Sequence, residues 1–166
     1  MTETVIREDL LRRVHAVWAA ARAPGTAVPT RRALDLPFSV SFALANIALL
    51  DVEEDGGGRR RYRYRLVGEE IIWLLGGNVT GRPVDEVLRG KLRDRIVDIL
   101  DRCVASRRPD YTVFEFPWES VVRYARYCAP IDGCDGRGVD QILVAVESFV
   151  DEAAQATVRS LNDTPV

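Results

Sequence analysis

The side chains of this sequence best suited to chemistry are suited to binding. Tyr64, Leu66, Phe114, Tyr124 and Val144 fall on short apolar segments, and Trp73 sits in an adjoining helical run. Aromatic and aliphatic groups with a few hydroxyls among them line small-molecule pockets, where apolar surface gives affinity and polar atoms fix orientation. The same aromatics can equally fill a core. The arginines between Arg59 and Arg65 could grip a phosphate or carboxylate. A solvated strand face accounts for them more simply. Asp132-Gly133-Cys134-Asp135-Gly136 faintly resembles a calcium loop, but the twelfth position counted from Asp132 is Leu143, where a glutamate is required. Cys103, Cys128 and Cys134 form no C-x-x-C pair, so neither a zinc site nor a disulfide framework is expected. There is no P-loop, no Gly-x-Ser-x-Gly and no histidine-based dyad or triad. No catalytic residue and no metal ligand is assigned.

These residues must be held by a sheet and its helical cover. Thr4 to Ala23 reads as a helix, with Ile6, Leu10, Val14, Val17, Trp18 and Ala21 on one stripe. That stripe can fold back on its own sheet or pair with a second copy, with Leu10, Val14 and Trp18 as contacts of a homodimer; the dimer is slightly favoured. Thr26 to Ala45, broken by Pro29 and Pro37, is too apolar for a free linker and reads as a packed loop or short helix. Asn46 to Val52 is a strand apolar on both sides, so both of its faces are expected to be covered. A glycine-rich turn, Glu53 to Gly58, joins it to the alternating strand Tyr62 to Val67 as an antiparallel hairpin. Ile71 to Leu75 gives two helical turns ended by Gly76-Gly77-Asn78. Thr80 to Pro83 turns into a second short helix. A long helix from about Leu88 to Ser106 follows, with Leu92, Ile96, Ile99, Leu100 and Cys103 on its apolar stripe.

Three strands close the chain: Tyr111 to Trp118, Val121 to Ile131 and Gln141 to Phe149, with Glu119-Ser120 as a tight connection. The second carries Tyr124, Arg126 and Cys128 on one face and Arg123, Ala125 and Tyr127 on the other. The third is the most apolar and is expected at the centre. The fold class is α+β, a five-stranded antiparallel sheet with helices on one face and an N-terminal helix. Residues 1–25 form that helix, 26–150 the domain and 151–166 a weakly helical or disordered tail.

With 166 residues, 47% hydrophobic and 29% charged, the chain has the composition of one globular domain. A net charge of -2 argues against a nucleic-acid partner, which would call for a basic face. No apolar run approaches the roughly 20 residues that span a bilayer. The N-terminus lacks the pattern of a signal peptide, so a cytoplasmic location is expected.

The order of these elements resembles the PAS fold, and the motifs resemble a group of bacterial single-domain PAS proteins common in alphaproteobacteria. The segments that carry the likeness are Tyr62-Arg63-Tyr64-Arg65-Leu66-Val67-Gly68, then Gly77-Asn78-Val79-Thr80-Gly81-Arg82, then Asp85-Glu86-Val87. Ala129-Pro130-Ile131 before a glycine-aspartate turn and Ile142-Leu143 in the last strand follow. Upstream, Trp18, Pro29 and Leu36-Pro37 fit as well. The resemblance covers about Leu10 to Phe149 and rests on order and spacing, since no single motif is specific. The loose, arginine- and glycine-rich turn from Glu54 to Arg60 departs from it.

The resemblance implies a regulatory sensor that binds a small apolar or amphipathic ligand, a protein partner, or both, in signal transduction. No output domain is seen after it, so a separate partner chain is expected to carry the signal. Haem is disfavoured because the only histidine, His15, lies on the first helix away from the expected core. Flavin of the photoreceptor kind is disfavoured because Gly77-Asn78-Val79-Thr80 stands where an Asn-Cys-Arg motif would supply a cysteine. Two other functions stay open: an interaction module with a filled core, and a small enzyme on a cone-shaped fold of the ketosteroid-isomerase kind. The enzyme would need Glu115 or Glu147 as a buried acid or base; strand carboxylates more often face solvent.

Overall fold

The computed structural model describes residues 5–115, 121–134 and 138–150. The connection at Glu119-Ser120 and the tail 151–166 lie outside the described residues. Five strands form one antiparallel sheet: β1 Ile47–Glu54, β2 Arg60–Val67, β3 Asp110–Glu115, β4 Val121–Asp132 and β5 Val139–Val150. Their order across the sheet is β2-β1-β5-β4-β3. The most apolar strand, β5, is therefore central, as its composition predicts. Helices α3 Glu69–Leu75, α4 Val84–Val87 and α5 Gly90–Ser106 lie between β2 and β3 in sequence.

Helical structure covers both faces of the sheet. α1 Asp9–Ala20, α2 Arg31–Leu34 and a 3-10 segment Phe38–Asn46 pack on the face opposite α3, α4 and α5. The strands explain why. In β1, Ala48 and Leu50 join one core while Ile47 and Leu49 join the other. In β5, Ile142, Val144 and Val146 face the α5 side, and Leu143 and Ala145 face α1. A strand apolar on alternate sides is stable only when both sides are removed from water.

The first helix settles the choice left open by its apolar stripe. Val14 and Trp18 are buried against the chain's own sheet, and the Trp18 indole Nε1 donates to the Pro130 carbonyl oxygen at 2.8 Å. Leu10 is half-buried at the flank of the same core. Val14 and Trp18 thus have their surfaces covered by the chain's own packing. His15 packs between Trp18 and Tyr127, and its Nδ1 lies 2.9 Å from the Tyr127 hydroxyl.

The hairpin turn between β1 and β2 is organised by one aspartate. Asp55 Oδ1 accepts from the backbone N–H groups of Gly57 and Arg59, each at 2.9 Å, and these bonds hold its carboxyl below the ordinary aspartate pKa. At the far end of β2, Gly68 permits a close approach. A side-chain carbon there would collide with the carbonyl oxygens of Leu44 and Ala45, so β2 can hand over to α3 only against a bare backbone.

Candidate functional site

Between the sheet and the helices α3 and α5 lies a cavity of about 370 Å³. That is within the range of small-molecule sites, at its lower end. Its floor is sheet: Ala48, Tyr64, Tyr124, Arg126, Val144 and Val146. Its walls are Ile71, Leu74 and Leu75 of α3 and Leu92 and Ile96 of α5. Trp73 also lines it but is 57% exposed, which makes it a rim residue. The loop that follows α3 is fastened to β2: the Tyr64 N–H donates to the Arg82 carbonyl at 3.0 Å, and the Gly81 N–H donates to the Tyr64 carbonyl at 2.6 Å. This fastening holds the helical cover in register over Tyr64.

Of the six residues expected in a pocket, Tyr64, Trp73, Tyr124 and Val144 are brought together here. Leu66 and Phe114 are not. A register shift between Leu49 and Leu50 sets Leu66 opposite Leu49, whose side chain belongs to the other core, and leaves Leu66 39% exposed. Because paired residues on neighbouring strands share a face, a one-residue shift carries a side chain to the opposite side. Phe114 is buried beside the cavity as filling: its ring is 5.5 Å from that of Tyr124 and is covered by the Arg95 guanidinium at 4.3 Å.

The residue that pocket reasoning passed over is Arg126. It is only 5% exposed, and its Nε donates to Cys128 Sγ at 3.2 Å. Burial opposes its charge, but a guanidinium is too strong a base to lose its proton here and its pKa stays above the ordinary value, so it remains cationic. Burial pushes the Tyr64 hydroxyl up to about 12 and raises Tyr124 as well, so both are neutral hydrogen-bonding groups at physiological pH. The site thus offers an apolar chamber with one fixed cation and two hydroxyls. A signal was present in the sequence: an arginine at an inward position of a strand whose other inward residues are Tyr124 and Cys128.

Three of the four arginines of β2 are engaged by carboxylates. Arg61 pairs with Asp85 and Glu86, Arg63 with Glu53 and Arg65 with Asp51. They form a cross-strand ladder and tie β2 to α4, which is the solvated face expected of them. On the other side of the sheet, Glu8 is buried and accepts from Tyr111 Oη and an Arg123 terminal nitrogen, each at 2.6 Å. Glu147 lies on that side too. Its carboxyl is raised by burial and then by Glu8 and Asp9, and its Oε2 is buried with no hydrogen-bond partner. Glu115 is exposed. Neither glutamate enters the cavity. Cys103 is core, its Sγ 3.7 Å from the Cys128 carbonyl oxygen, and Cys134 is exposed. Among the described residues no group of His, Cys, Asp and Glu is placed to hold a metal ion, and no helix is long and apolar enough to cross a membrane.

A protein-family model described as PAS domain matches residues 7–119. Solved structures with similar folds include a light-oxygen-voltage domain studied with a flavin analogue, at 15% identity over 79% of this chain and 98% of that one, with a TM-score of 0.49. The PAS domain of BvgS from Bordetella pertussis aligns at 16% identity over 72% of this chain and 86% of that one, with a TM-score of 0.49. The light-state Aureochrome1 light-oxygen-voltage domain aligns at 13% identity over 77% and 99%, with a TM-score of 0.44. No curated protein matches significantly.

Proposed function

The chain belongs to the PAS domain family, and we propose that it is a bacterial sensor in which the chamber between sheet and α5 takes a small amphipathic ligand and relays its presence to a separate protein partner. The observation that carries this reading is the cavity itself: about 370 Å³ of space lined by apolar groups, with Arg126, Tyr64 and Tyr124 as its polar atoms. A domain whose core served packing alone would close such a volume, since each void forgoes dispersion contacts and adds a cavity cost. We take residues 26–150 as the sensory core, with α1 laid across its far face. The location we propose is the cytoplasm. A homodimer stays in the proposal through surfaces other than the buried stripe of α1.

The reading is regulatory, without a chemical step. Haem has no support from the site, because His15 lies on the other face of the sheet from the cavity. Flavin is kept as an occupant to be tested, against the expectation from the sequence. No cysteine lines the chamber among the described residues, so a thiol adduct has no partner there. A flavin held without one would depend on Arg126, Tyr64 and Tyr124 for its polar edge.

Native mass spectrometry of the protein purified from its own cells tests the proposal. A stoichiometric small molecule is expected, and its identity follows from denaturing release; a flavin would declare itself by visible absorption. A ligand-free mass, unchanged on incubation with cell extract, would replace the sensor with an interaction module. The same spectrum reports the number of copies.

A further inference from the structure

The chamber contains a charge that its apolar walls do not need. Arg126 comes from the middle of β4, between Arg123 and the buried Cys128, and its side chain lies 95% out of solvent among Tyr64, Tyr124 and Val144. Removing a guanidinium from water costs several kcal/mol unless an anion compensates it. Among the described residues no carboxylate forms an ion pair with it; the groups that face it are Cys128, Tyr124 and Tyr64, all neutral at physiological pH. Glu8 and Glu147 belong to the opposite face of the sheet, where Glu8 is paired with Arg123 and Tyr111. Cys128 Sγ accepts from Nε and Tyr124 is hydrogen-bonded to the same guanidinium, so neutral groups hold a planar fork whose shape suits a two-oxygen acceptor.

We propose that the ligand is a small organic monocarboxylate, aliphatic or aromatic, whose carboxylate sits on the Arg126 guanidinium between the Tyr64 and Tyr124 hydroxyls while its apolar body fills the space toward Leu74, Leu92 and Trp73. This rests on the sensor reading above and deepens it. A single buried cation neutralises one negative charge, which favours a monocarboxylate over a phosphate of higher charge. Cation and apolar volume lie in one chamber, so head and tail of the same molecule are recognised together. Arginine in such a place acts by shape as well as charge, and lysine would not reproduce the paired donors.

The test is calorimetric titration of the wild-type protein with hexanoate, octanoate and phenylacetate, each beside its neutral primary amide. At least one acid is expected to bind, and to bind about tenfold to a hundredfold more tightly than its amide, the range of a hydrogen bond to a charged group. In Arg126→Met, which retains the volume, acid and amide are expected to bind alike; circular dichroism and a cooperative thermal transition verify that this variant is folded. If amides match acids in the wild-type protein, the carboxylate inference is overturned while the cavity sensor stands, and this comparison needs no variant. If Arg126→Met keeps the preference, another group carries it and the inference is likewise overturned. If no acid and no amide binds the wild-type protein, the inference falls together with the small-ligand reading on which it rests.

Discussion

Trp18 and Pro130 are 112 residues apart in sequence and 2.8 Å apart in space, the indole N–H of α1 donating to a carbonyl of β4. This bond and the burial of Trp18 make the first helix part of the sheet's packing. Replacing Trp18 with Phe removes volume and leaves a buried carbonyl without its donor. The expected loss of stability is about 2–4 kcal/mol, read as a lower midpoint in urea. The mass from light scattering should stay at its wild-type value; a change of mass with unchanged stability would mean that Trp18 serves an interface.

Gly68 lies against the carbonyl oxygens of Leu44 and Ala45. Backbone cannot yield as a flexible side chain can, so Gly68→Ala should destabilise by about 1–3 kcal/mol. Gly57→Ala in the exposed hairpin turn serves as the control, and its midpoint should move little. Equal midpoints for the two variants would show that the 3-10 segment gives way.

Glu147 predicts a pH dependence of definite sign. Its carboxyl is raised by burial and by Glu8 and Asp9, and one oxygen is buried unpartnered. The folded state therefore holds the proton more tightly than the unfolded state. Its contribution is most favourable below the ordinary glutamate range and is lost as pH rises through the elevated folded value. Glu147→Gln should be more stable than wild type at neutral pH, and the difference should vanish on acidification below that range. A difference that grows with acid would reverse the assignment.

The arginine ladder on β2 should contribute little. Arg61 pairs with both Asp85 and Glu86, yet all three side chains are at least a third exposed. Arg61→Ala is expected to cost less than about 1 kcal/mol, and less still at high salt, by chemical denaturation at two ionic strengths.

Much of the fold was legible because period and composition agree there. The apolar stripe of α5 from Leu92 to Cys103, the alternation of β2 and the glycine-rich hairpin turn each carry their structure locally. What was not legible depends on contacts distant in sequence. The stripe of α1 suits a partner helix as well as a sheet, and only the neighbourhood of Pro130 decides. Leu66 continues the alternation of Tyr62 and Tyr64, but the shift opposite Leu49 and Leu50 breaks its phase. Arg126 was visible as an inward residue of β4, yet a charge on a strand face is ordinary until something apolar is packed over it. α3 and α5 supply that cover, and no local pattern of β4 announces them.

The central strand gives its two faces to two cores, with Ile142, Val144 and Val146 in one and Leu143 and Ala145 in the other. Neither core can dissolve while β5 stays paired with β1 and β4, and neither can survive once it leaves them. Heating should therefore produce one calorimetric transition in which the van't Hoff and measured enthalpies agree. Tryptophan signals from α1 and from the rim of the chamber should report a common midpoint, because a sheet one strand thick leaves the molecule no smaller unit in which to melt.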